Sequence, residues 1–265
     1  MLKKNPKEKK VIIEWMEKIR KSYQGEVFTT LSTYAEQKKA IAIAIEETEN
    51  ALVILRFFSP TSLIPEIPSY FDRMGHTALP TNHLFIFESK YPNLINEIDE
   101  ERQFQWPIRE KDIFIFKTIG LDQANDILTK QKRTAFEDLL FSSIHLFSRA
   151  IVSKEFQDKL VFTLVSLETL LLKDTLEPIQ TMLGLRLSFI PDLKVEQRKE
   201  IIRLIKDAYV FRSSFIHHGK KSEDIQLLQN LQRVTWDTLR IALINKNRFA
   251  IQKEFIDFIE NRILS

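Results

Sequence analysis

The sequence predicts a mainly α protein: a C-terminal antiparallel helical bundle over 121–265, preceded by an N-terminal α+β region over 1–120 that contains a small sheet. Three observations carry this reading. Helical period runs almost unbroken from Leu121 to the C-terminus, with short connectors of the kind that join antiparallel neighbours. The two short segments of alternating β-type residues both fall before residue 120. Glycine is scarce, at 5 residues against 20 phenylalanines, and neither GxGxxG nor GxxxxGK(S/T) occurs, which argues against a Rossmann fold or a P-loop.

Residues 11–23 read as a short amphipathic helix with Val11, Ile12, Trp15, Met16 and Ile19 on one side, broken at Gly25. Residues 31–57 read as a long helix that Ser59-Pro60 stops. Residues 59–82 carry Pro60, Pro65, Pro68 and Pro80 without a sustained period and read as an irregular loop. His83–Glu88 (HLFIFE) and Asp112–Lys117 (DIFIFK) read as two strands that pair with each other. Helices are then expected near 121–131, 134–151, 154–173, 176–189, 194–217, 222–245 and 248–263. Pro178 and Pro191 fall at joints, and Gly219 falls where a C′ glycine ends a helix. Trp236 and the Phe-rich helices read as core.

Bulk composition narrows the function classes. No cysteine is present, which removes disulfides, thiolate catalysis and cysteine-based metal sites and fits a reducing cytoplasm. No apolar run approaches the length of a membrane span, so no membrane association is expected. The N-terminal MLKKNPKEKK is basic, but Glu14, Glu17 and Lys18 interrupt the apolar run that a signal peptide needs, so none is expected. A net charge of +3 permits an anionic partner without requiring one. His76, His83 and His145 are scattered and no HExxH spacing occurs, so neither a metal nor another cofactor is expected. Ser142, Ser143 and His145 are close in sequence, but they make no argument for a triad.

Two helices carry the chemistry. In the helix that ends at Gly219, Ile201, Leu204, Ile205, Ala208, Phe211 and Phe215 make one apolar stripe, and Arg212 falls inside it. In the helix around 160–172, Glu168 sits at the centre of a face made by Leu160, Val161, Leu164, Val165, Leu167, Leu171 and Leu172. An unpaired charge on either face is costly, so the two are expected to meet. Such a pair also has a plain role, as a buried salt bridge that sets helix register. Five residues after Arg212 comes His217, about 140° round the helix. A fixed cation beside a group that exchanges protons near neutral pH suits phosphodiester cleavage. Tyr209 or Ser213, on the side of His217, is a candidate to hydrogen-bond the imidazole and select its tautomer.

Arg212-Ser-Ser-Phe-Ile-His217 fits the Rx4–6H signature of HEPN domains, and the match extends upstream. LVSLETLLL (164–172) resembles the "ALE-LL" helix of the Apea-like HEPN group, RLSFI (186–190) resembles the next helix of that group, and AYVFRSSFIHHG (208–219) resembles its "Y-x-x-R-S-x-x-x-H-G" segment. The resemblance covers roughly 135–245. His217 and His218 both satisfy the signature, and the Apea-like spacing of four favours His217. His218 stands where the group often has glycine. Gly219 stands where nucleotidyltransferase-silenced toxins of the superfamily carry tyrosine, so no nucleotidyltransferase antitoxin partner is implied.

The resemblance implies a metal-independent endoribonuclease whose site forms at a homodimer interface. The RNA would be tRNA or another cellular RNA, and the role that of a toxin or anti-phage defence effector. It implies His217 as general acid or base, Arg212 as stabiliser of the phosphorane, and Glu168, Ser213, Tyr209 and His218 as supporting residues. Lys220, Lys221, Arg203 and Arg240 are candidates to attract the RNA backbone. The alternative is a non-catalytic HEPN module that binds RNA or a protein partner.

Overall fold

In a computed structural model, the apolar period of the chain becomes a mainly helical protein. The structure describes residues 32–67, 81–88, 91–98, 108–173, 176–191, 193–219 and 223–264, together with 13–14, 17–18 and 21. Most of the helix expected over 11–23 and the second half of the loop expected over 59–82 lie outside the described residues. The elements are α1 (Gln37–Phe58), a 3₁₀ turn (Pro60–Leu63), β1 (Thr81–Glu88), β2 (Tyr91–Ile98), α2 (Glu110–Thr118) and α3 (Leu121–Thr129). They continue with α4 (Ala135–Val152), α5 (Phe156–Leu171), α6 (Ile179–Phe189), α7 (Val195–His218), α8 (Ile225–Ile244), a 3₁₀ turn (Lys246–Arg248) and α9 (Gln252–Leu264).

The sheet expected between 83–88 and 112–117 is not formed. β1 pairs antiparallel with β2, from Thr81 opposite Ile98 to Glu88 opposite Tyr91. Asp112–Lys117 lies within helix α2 instead. The helix-start chemistry explains why: the Asp112 carboxylate accepts the Arg109 backbone N–H at 2.8 Å, and Glu110 and Asp112 place negative charge in the first turn. A six-residue apolar run is ambiguous in period, and here the capping residues decide it.

The chain divides into two compact units, Met1–Thr48 and Glu49–Ser265. The second contains β1, β2 and the helices α2–α9. Within it, α4 packs on α5, α6 on α7, and α8 against α5 and α7. Val53, Ile54, Phe57 and Phe58 join Phe147, Leu160, Leu164, Leu167, Leu231 and Leu239 in one buried core. Trp236 stacks on Phe57 at 5.8 Å between ring centroids and donates its indole N–H to the Phe57 carbonyl at 2.8 Å. Phe136, Phe249 and Phe255 form a second aromatic contact group.

Two ionic clusters tie the helix ends together. Arg186, wholly buried on α6, donates to Glu177 at 2.5 and 2.7 Å, to Glu260 of α9 at 2.7 Å and to the Leu171 carbonyl at 2.6 Å. Lys246, also buried, donates to Glu137 at 2.8 Å and pairs with Asp126. Glu137 is at once the third helical residue of α4, where it closes a capping box with Thr134. These charges are almost fully paired, which is the condition for burying them.

Candidate functional site

Glu168, Tyr209 and Arg212 meet where α5 faces α7. The leucine pattern of α5 turns Leu164, Leu167 and Leu171 into the core and leaves Glu168 half-buried at its edge. On α7, Ile201, Ile205 and Ala208 are the buried residues, and Arg212 continues their line by one turn. Tyr209 is three residues before Arg212, so the two side chains share a helix face.

One carboxylate oxygen serves both neighbours. The Tyr209 hydroxyl donates to Glu168 Oε1 at 2.5 Å, and Arg212 Nη1 donates to the same Oε1. The Arg212 guanidinium carbon also lies 5.6 Å from the centre of the Tyr209 ring. Burial pushes the Tyr209 hydroxyl well above the usual phenol range, and the hydrogen bond to Glu168 pushes it further, with Arg212 opposing. Tyr209 is therefore a neutral donor throughout the physiological range. Arg212 Nε and Nη2 make no hydrogen bond among the described residues, so the guanidinium is anchored at one end and has donors left at the other.

The two helix ends are themselves pinned. Gln252 Nε2, at the start of α9, donates to the carbonyls of Thr169, Leu170 and Leu172 at 2.8–3.2 Å, which satisfies the open end of α5 one turn beyond Glu168. α7 ends at Gly219, whose φ of 61° is left-handed and whose N–H donates to the Phe215 carbonyl at 2.9 Å. His217 is in the last turn of α7 and exposed.

The predicted residues thus separate into groups. Glu168 and Arg212 meet, as their placement on apolar faces required. Tyr209 joins them, but its hydroxyl is given to Glu168 rather than to an imidazole. Ser213 and Arg203 are exposed on α7. Arg240 pairs with Asp237 at 3.4 Å and lies over the Trp236 ring at 5.5 Å. The side chain of His218 and residues Lys220 and Lys221 lie outside the described residues, as do His76 and the side chain of His83. Among the described residues no group of three or more His, Asp or Glu side chains could hold a metal ion, and no helix is long and apolar enough to cross a membrane. Sequence reasoning missed Arg186. It falls in a segment whose apolar neighbours suggest only a core helix, and nothing local announces that Glu177 and Glu260 converge on it.

Comparison of the chain with protein-family models, with curated proteins and with solved structures finds no match.

Proposed function

We propose that the chain is a metal-independent endoribonuclease of the HEPN type that uses Arg212 and His217. The observation that carries the reading is the setting of Arg212: held by Glu168 at the edge of an apolar seam, with unspent donors, five residues before an exposed histidine at the end of the same helix. The pair is only partly buried, and a guanidinium with donors to spare there can also hold an anion.

In the proposed reaction His217 takes the proton of a ribose 2′-OH, and that oxygen attacks the adjacent phosphorus. The P–O5′ bond breaks, and the departing 5′ oxygen takes a proton from an imidazolium. The products are a 2′,3′-cyclic phosphate and a 5′-OH. Arg212 neutralises the charge that builds on the phosphorane, and Glu168 with Tyr209 holds it in place. Arg212 and His217 project from α7 about 140° apart, so one helix supplies half of a site. A second copy of the chain would complete it, and the reading therefore includes a homodimer. A toxin or anti-phage role would follow from cutting tRNA or another cellular RNA.

The test is cleavage of purified RNA in the presence of EDTA. Wild-type protein is expected to cut. Arg212→Ala and His217→Ala are each expected to slow cutting by about 100-fold or more while remaining folded. Equal cutting by both variants, or no cutting by a folded wild-type dimer, contradicts the proposal.

A further inference from the structure

The outer face of α7 carries a second pattern, independent of the seam that holds Arg212. Lys199, Arg203, Lys206, Val210, Ser213 and His217 recur at alternating steps of four and three residues. On an α-helix that spacing places all six within about 40° of one line, which runs about 27 Å along the axis. All six are exposed. Among the described residues none of the three cations on this line is engaged in a salt bridge, so their charge faces water.

The two flanks of the line differ. Glu196, Glu200 and Asp207 lie about 60–100° round the helix on one side. On the other side lie Ile202 and Ile216, 42% and 55% exposed, and Val210 on the line itself is 60% exposed. The three lie about 12 and 9 Å apart along the axis, so they offer separate apolar contacts beside the cationic strip rather than one continuous patch. A phosphate chain would be attracted by the strip and repelled by its acidic edge. Bases that project from the chain would fall toward the aliphatic edge.

We infer that this face of α7 is a track for single-stranded RNA, with Lys199, Arg203 and Lys206 on the phosphates and Ile202, Val210 and Ile216 against the bases, running toward His217. The inference rests on the nuclease reading for its direction and adds to it the surface that receives the substrate. A single strand fits the pattern better than a duplex, because only a single strand presents unpaired base faces beside its phosphates.

The experiment measures binding of the full chain to fluorescein-labelled oligouridylate and to its 2′-deoxy counterpart, which has no 2′-OH to attack. Wild type is compared with the triple variant Lys199→Ala, Arg203→Ala, Lys206→Ala across a salt series. All three positions are exposed, and a thermal melt matching wild type verifies the fold. The triple variant is expected to bind both strands at least about tenfold more weakly, with a log–log salt slope shallower by about 2, since each phosphate contact on a single strand contributes about 0.7. Wild-type affinity and slope in the variant overturn the track. So does equally tight binding of duplex RNA of the same length, which would mean unspecific charge attraction. A triple variant that loses self-association but keeps RNA binding would mark the face as an interface between copies and also overturns it. Cleavage run in parallel separates the two claims. Wild type that cuts RNA while the variant binds as before sinks the track alone. Wild type that binds the deoxy strand through these cations and cuts no RNA sinks the nuclease alone.

Discussion

Glu168 Oε1 accepts from Tyr209 and Arg212 together, so removing this one carboxylate strands a phenol and a guanidinium at once. Glu168→Ala is expected to cost about 1–3 kcal/mol, toward the low end because both ionic partners are partly exposed. The midpoint of urea unfolding measures it. The same substitution should lower RNA cleavage more than its effect on folding explains, because Arg212 loses its anchor. An unchanged midpoint would mean that the carboxylate is not holding the pair. The meeting of Glu168 and Arg212 is legible in the sequence because each charge interrupts an apolar stripe, and opposite charges on facing stripes have one inexpensive arrangement. Tyr209 is not legible in that role. A tyrosine fits a half-buried helix face whichever way its hydroxyl turns, and the acceptor lies on another helix, 41 residues away.

At the scale of the element, the end of α7 is the sensitive point. Gly219 has φ 61°, and a Cβ placed there meets nothing within 4 Å. Gly219→Ala therefore carries backbone strain without a clash and is expected to cost about 1 kcal/mol, read as a lowered melting temperature. It should also disturb the last turn, where His217 sits, and so reduce cleavage. Wild-type stability in this variant would contradict the αL cap. The helices from Leu121 onward are legible from the sequence because their apolar period of about 3.6 residues is sustained over many turns. The segment 112–117 misleads because six residues hold too little period to separate helix from strand. The information lies outside the run, in Asp112 reaching back to the Arg109 N–H. The pairing of 81–88 with 91–98 is not legible because the sequence between the two segments carries no Asn-Gly or Gly-rich hairpin signal.

Across the whole molecule, stability leans on ionic clusters that no single segment announces. Burial would raise the Glu137 carboxyl, but hydrogen bonds from Lys246, the Thr134 backbone and Lys130 outweigh it and bring it down to about 2. The folded-state value lies below the ordinary value of 4.5, so its contribution is fully present above about pH 4.5 and is lost as pH falls toward 2. Glu177 and Glu260 around Arg186 are shifted in the same direction. Acid unfolding should therefore be steep below pH 4.5. Glu137→Gln should flatten it, while a variant at an exposed glutamate such as Glu196 should not. An unaltered acid limb in Glu137→Gln would remove this cluster from the account. Lys246 is shifted upward by its carboxylates, against the effect of burial, so its contribution fades only at high pH.

In the proposed reaction Arg212 and His217 direct a ribose 2′-OH onto the adjacent phosphate. The most direct measurement uses an oligonucleotide of ribose residues and a matched one with a single 2′-deoxy substitution at the cleaved position, with the product ends identified by mass. The account predicts a 2′,3′-cyclic phosphate and a 5′-OH from the first, no cut at the substituted position in the second, and no cut in either by His217→Ala. Cleavage of the deoxy-substituted strand at the same position, or products from His217→Ala at the wild-type rate, would contradict it.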